Sequence, residues 1–403
     1  MLMKLFVPLS FLFASSLNAQ NIADNKVSFD YVQLPTNPVS SQYTSYSLVI
    51  NKLFEKSNQD SLNLHQARVD AAQVNFDAQY NVWRDQKKAI DRQYLATLAS
   101  WEKNNLTTGI SSPKPERPPY PAQPLKEDVR DPRLHDDITS QYSGSLVRLE
   151  GFTAGEGGAT VTLDIQPISG ITITKKTNGT GATTKFEYSC NYSLPVNIKV
   201  ECPSKGIVFN TVIGTNVKSY PLNSFATTYD YEIWMMDNYD KFWMDLQSKA
   251  RADALAEVNT VLNENCGYPV KRRVTEVFSV KSHREFTYAD LTTAYTTAEQ
   301  GYRLIVQNRD HTAAAQKLLE AIANWDAVLK ESNVTDKKSR VNDEVTALLH
   351  YNIAEAYGWL SQFDEAEKYI NLCIADGVMK FKGMAKDLDV FLDAQKVRWN
   401  ANF

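Results

Sequence analysis

The stretch VTALLHYNIAEAYGWLSQFDEAEKYINLCI, residues 345–374, decides how the last third of this chain is built. Leu349, Ile353, Ala356, Tyr357 and Leu360 recur at helical spacing. A turn falls at Ser361-Gln362, and Phe363, Ala366, Tyr369, Ile370, Cys373 and Ile374 take up the period again. Side chains three and four apart share one helix face, so the pattern predicts two short helices folded back on each other. Upstream, Thr287-Tyr288-Ala289-Asp290 has the form of a helix start, with Thr287 as cap and Asp290 three residues on. Leu291, Tyr295, Ala298, Tyr302 and Ile305 give that helix a face; a partner follows over 311–331, and 384–399 supplies a last helix.

Working outward, residues 229–263 predict a long helix with a seam of Tyr231, Met235, Tyr239, Phe242, Leu246, Ala250, Val258 and Leu262. Its first half also carries Trp234, Met236, Trp243 and Met244 off that seam, the pattern of a helix buried at a domain junction. Before it, residues 145–220 read as closely spaced strands separated by glycine turns. Alternation is clean in Phe186/Tyr188/Cys190/Tyr192 and Val196/Ile198/Val200/Cys202, which predicts a hairpin turning at Ser193-Leu194-Pro195. Short strands near Val27 and Tyr43 are expected to join the same sheet.

Residues 60–103 hold no proline or glycine, and Val69, Ala72, Phe76, Tyr80, Trp83, Ile90, Tyr94, Leu98 and Trp101 step by threes and fours, with Lys87 at one seam position. This predicts an amphipathic helix roughly 60 Å long. Its aromatic seam fits packing along its own protein better than a regular zipper, with a coiled-coil partner as the alternative. Seven of the fifteen prolines then fall in 113–132, a segment that can be neither helix nor inner strand and reads as a semi-rigid polyproline-like connector.

With 43% hydrophobic and 22% charged residues the chain is expected to fold, and its net charge of −4 gives no field for nucleic acid. Residues 1–19 have the form of a signal peptide: Lys4, an apolar run over 5–17, and Ala19 at the cut. The mature chain is expected to start at Gln20, without a transmembrane span. It would lie in the periplasm of a Gram-negative bacterium, on its outer membrane or outside the cell. The four cysteines sit far apart; the hairpin register offsets Cys190 from Cys202, so buried free thiols are as consistent as bridges. His135-Asp136-Asp137 is a possible metal cluster, read as an exposed acidic loop. The stretches 151–155, GFTAG, and 179–185, GTGATTK, mimic a nucleophile elbow and a phosphate loop, but each leads into strand, so both read as hairpin turns.

Residues 351–374 resemble a tetratricopeptide repeat, through Ile353, Ala354, Tyr357, Phe363, Ala366, Ile370 and Cys373 and the opening Asp364-Glu365-Ala366. The family's turn glycine is Ser361 here, and its closing proline is absent. A weaker copy precedes it: Ala321, Trp325, Val328 and Leu329 each lie 45 residues before Ala366, Ile370, Cys373 and Ile374, with 332–342 as an insertion. The resemblance, over about 287–376, implies a protein or peptide partner on the concave face, around Asn352, Glu355, Tyr357 and Trp359.

The expected fold is α+β and multidomain: an antiparallel β-sandwich-like domain with a long inserted helix, then a short tetratricopeptide-like array. The divisions are signal 1–19, β segment 20–59, helix 60–104, connector 105–137, β domain 138–225, aromatic helix 226–270 and helical domain 271–403. The expected function is a non-enzymatic envelope scaffold that binds protein, with no catalytic residue, metal or cofactor. Two alternatives remain: a secreted hydrolase or carbohydrate-active protein, and a structural protein self-associating through 60–103.

Overall fold

In the computed structural model, residues 21–109, 112–136, 142, 145–181, 184–282, 285–305 and 312–403 are described. The expected signal segment, 1–19, and Asp137 of the expected acidic loop lie outside them. The chain is mixed α/β, with mostly antiparallel sheets and C-terminal helices, and most of the buried apolar residues among those described fall into two separate clusters.

The first cluster lies in the β region. Strands β2 (Ser45–Lys52), β3 (Thr153–Ala154), β4 (Ala159–Ile165), β7 (Val196–Cys202) and β8 (Gly206–Ile213) form one sheet in the order β3-β2-β4-β7-β8. Strands β5 (Ser169–Asn178), β6 (Lys185–Ser193) and β9 (Lys218–Phe225) form a second. All pairs are antiparallel except β2 with β3 and with β4. The alternating inner residues of β4, β6 and β7 meet helix α2 (Thr228–Asn265), whose Phe242, Leu246, Ala250, Ala254, Val258 and Leu262 are buried at steps of four. Thr227 caps α2 in a reciprocal box with Asp230.

Two turn expectations are corrected here. Val196 pairs with Ile165 and Ile213, so the chain crosses at Leu194-Pro195 from one sheet to the other and no β6–β7 hairpin forms. Alternation marks strands but not which strand they pair with. The chain crosses back after β8 through Gly214, where φ is 68° and a Cβ would lie 2.1 Å from the Leu194 carbonyl oxygen, so only glycine fits. Residues 151–155 are likewise no hairpin turn: Thr153-Ala154 add the short parallel strand β3 beside β2. All four cysteines are free and buried; burial pushes the Cys266 and Cys373 thiols up to about 12.

The second cluster begins with the first described residues. Strand β1 (Ile22–Val32) does not join the β region; it pairs along its whole length with β10 (Val270–Val280). This two-stranded ribbon packs against helices α3 (Ala289–Leu304), α4 (Thr312–Leu329), α5 (Asp343–Trp359), α6 (Phe363–Ala375) and α7 (Met379–Asn402). The 45-residue correspondence holds as burial: Ala321, Trp325 and Val328 are enclosed, as are Ala366, Ile370 and Cys373. The expected Thr287 cap does not form. Tyr288 is the N-cap without a side-chain bond, and Asp290 instead pairs with Arg340, which also reaches Glu331 and so ties the insertion to α3 and α4. The helices are compatible with helical repeats.

Helix α1 (Phe54–Thr108) is an arm of 55 residues, about 80 Å long at about 1.5 Å per residue. Its predicted seam, from Val69 to Trp101, is partly or fully buried at every position. What covers it is the proline-rich segment, running back antiparallel. Trp101 Nε1 donates to the Ser112 carbonyl (3.1 Å), Trp83 Nε1 to the Pro121 carbonyl (2.9 Å), and the Tyr120 hydroxyl to Asp91 (2.6 Å). Asn58 exchanges two hydrogen bonds with the His135 backbone, each 2.8 Å. About 23 strap residues thus span about 43 helix residues, close to the ratio set by rises of about 3.1 and 1.5 Å per residue. A polyproline strand is the one extended conformation that needs no ladder partner, so it can lie on a helix and leave its backbone to water and tryptophan N–H groups.

Side chains catch the strap where it re-enters the body. Trp243 Nε1 donates to the Leu134 carbonyl (2.8 Å), Gln247 accepts from the Asp136 amide (3.0 Å), and Arg251 donates to the Asp136 carbonyl (3.0 Å). His135 lies between Phe54 and Trp243, and its Nε2 accepts from the Ile168 amide (3.0 Å). Burial first, then Arg251, lowers its pKa, against the pull of Asp136. His135 is therefore half-buried and hydrogen-bonded within the junction rather than part of an exposed acidic loop.

Candidate functional site

The residues predicted on the concave face are dispersed by the fold. Asn352, Glu355 and Trp359 lie at i, i+3 and i+7 on one face of α5, while Tyr357 points elsewhere. Asn352 is 1% exposed and clamps the ribbon: its Oδ1 accepts from the Phe278 amide (3.0 Å) and its Nδ2 donates to the Phe278 carbonyl (2.8 Å). Glu355, also 1% exposed, accepts from Arg273 Nε (3.0 Å), from the Tyr351 hydroxyl (3.3 Å) and from Trp359 Nε1 (3.1 Å). The inner face of α5 is therefore occupied by the chain's own ribbon. Tyr357 stacks on Tyr369, whose hydroxyl bonds Asp326 on α4. Burial, then that hydrogen bond, raises the Tyr369 pKa.

Trp359 alone of the four reaches a cavity. The cavity has a volume of about 530 Å³ and an apolar lining that includes Tyr31, Trp359, Phe363, Phe391, Trp399 and Phe403. Trp359 is fixed by edge contacts with Phe29 and Tyr31, both 4.9 Å between centroids. Gly358 beside it lets α7 approach, because a Cβ there would lie 2.5 Å from Leu392. The Arg273 guanidinium sits 3.8 Å from the Phe391 ring centroid, so the Arg273–Glu355 pair braces two lining aromatics from behind. Burial, its largest cause, raises the Tyr31 pKa, opposed by Arg273 and Arg398. At the mouth Phe403, 82% exposed, packs on Trp399 with centroids 4.3 Å apart and the rings tilted by 37°.

The tight α5–α6 turn brings Phe363 to the rim. It needs a left-handed residue, and Ser361 supplies it at φ 58°, a conformation that glycine adopts more easily. Sequence reading missed Tyr31, Phe363, Phe391, Trp399 and Phe403 as one site. Phe363 was visible as an apolar helix position and 384–399 as a last helix, but nothing in the order of residues joins Tyr31 to Trp359.

Such a site can hold an apolar or aromatic group; its charged atoms are paired behind the wall rather than aimed into it. Among the described residues no group of three or more His, Cys, Asp or Glu side chains could hold a metal, and no helix is long and apolar enough to cross a membrane. No protein-family model matches the chain, no curated protein matches it, and no solved structure matches it.

Proposed function

We propose that this chain is an exported, non-enzymatic envelope protein that binds another protein through its C-terminal helical array. The observation that carries this reading is the open aromatic cavity of about 530 Å³, within the range of about 300–1,000 Å³ that suits anchored groups. In this reading α3–α4 and α5–α6 are two tetratricopeptide-like hairpins, and the two sheets are layers of a sandwich that carries the array. The ribbon β1–β10 fills the groove such repeats leave open, so the partner engages the end of the array, where Trp359 and Trp399 stand. The recognised group is a large apolar or aromatic side chain of the partner, since aromatic anchors in apolar pockets dominate binding energy.

The test is affinity capture from the native envelope with the mature chain, beside a Trp399→Glu/Phe403→Glu variant that charges the mouth. Partners that disappear with the variant, while circular dichroism and unfolding are unchanged, support the reading. The same partners retained by both proteins overturn it. N-terminal sequencing of the envelope form checks export, with Gln20 as the expected first residue.

A further inference from the structure

We infer that the arm pairs with the arm of a second copy, antiparallel, through the face of α1 that the strap leaves open. The apolar seam is not the surface that pairs, because residues 112–135 already cover it. About half a helical turn away runs a second period, Leu64, Ala67, Val74, Ala89, Ala96 and Ala99, all exposed; Val74 is 69% exposed. Small side chains there allow two helix axes to approach to about 8 Å.

Charge selects the occupant and its direction. Along this stripe and one flank of it the first half of the arm carries Asp70 and Asp77, and the second half carries Arg84, Lys88 and Arg92. Asp70 and Asp77 each accept one amide from the glutamine four residues before and present their charge to solvent. In a parallel, in-register pair Asp60, Asp85, Arg92 and Lys103, which lie on the stripe itself, would each face their own copy. An antiparallel pair centred near Val82 sets Asp70 against Arg92, Asp77 against Arg84 and Lys88, and Asp60 against Lys103 of the second copy. The same centre puts Leu64 opposite Ala99, Ala67 opposite Ala96 and Val74 opposite Ala89. Asp85 is the exception; it lies on the stripe and meets Ala78 of the second copy rather than another carboxylate.

The size fits as well. The stripe from Leu64 to Ala99 is about 50 Å long and about 10 Å wide on each helix, or about 1,000 Å² buried in total. That is the lower bound for a specific interface, so association is modest and depends on concentration. The two bodies would stand at opposite ends of the paired arms, with their bases about 80 Å apart along the axis.

The test uses the full mature chain. Sedimentation over a concentration series is expected to move from monomer to twice that mass. Asp70→Lys with Asp77→Lys keeps it monomeric, and adding Arg84→Glu, Lys88→Glu and Arg92→Glu restores the dimer. All these side chains are solvent-exposed, and unchanged helical circular dichroism separates lost pairing from lost folding. The native thiols are buried, so an introduced cysteine reports cleanly. Val82→Cys should cross-link to itself, and Ala67→Cys only when mixed with Ala96→Cys. A monomer at every concentration with no Val82→Cys cross-link overturns the proposal. So does self-linking of Ala67→Cys as strong as that of Val82→Cys, which marks a parallel pair.

Discussion

Helix α5 is 17 residues long and twelve of them are buried; helix α1 is 55 residues long, and among its described residues only Phe54 and Ala72 are. Both carry a clear helical period. Helix α5 lies at the centre of the second cluster, with the ribbon, α4, α6 and α7 around it, and it encloses even Asn352 and Glu355. Helix α1 meets one narrow strap, which covers a stripe and leaves the rest to water. An amphipathic period thus specifies that a face will be covered, not how deeply or by what. Depth follows from how many elements surround the helix, and that follows from the topology.

The sharpest way to break this comparison is at the buried ion pair. Glu355→Ala should cost about 3–5 kcal/mol in denaturant unfolding, since it strands Arg273 and removes the acceptor of Trp359 Nε1. A loss below about 1 kcal/mol would show that α5 is not the centre of that core. On the arm, Trp83→Ala removes the hydrogen bond to Pro121 and half-buried ring area, about 1–2 kcal/mol of local stability. Faster tryptic cleavage at Lys126 and Arg130 with an unchanged global midpoint is expected. A fall in the midpoint of the same size would mean that the arm and body unfold as one unit. The smallest effect is at the end of α5. Ser361→Gly should raise stability by about 0.5 kcal/mol, relief of the left-handed backbone offset by greater freedom in the unfolded chain. A loss of stability there would show that the serine side chain contributes more than its backbone conformation costs.

Much of the architecture was legible before any coordinates. The α1 seam, the α5–α6 hairpin and the strands around Cys190 and Val200 follow from periods of 3.6 and 2, which are properties of neighbouring residues. The strap was legible as polyproline-like, but its place on the helix was not. That place depends on tryptophan N–H groups finding carbonyls 11 and 38 residues away. The candidate site was less legible. Asn352, Glu355 and Trp359 share a face, but whether that face met solvent or another part of the chain was decided by a ribbon of two distant strands, β10 against Asn352 and Glu355 and β1 against Trp359.

The sequence by itself determined which segments are helix, strand and strap, because backbone sterics and side-chain alternation act within a few residues. Only the tertiary structure decided that β1 belongs with β10 and the helices, that β6 and β7 part into different sheets, and that Tyr31 closes a pocket with Trp359 and Trp399. Those outcomes turn on which apolar surfaces bury each other best across the whole chain, and hydrophobic burial carries no direction and no record of sequence distance.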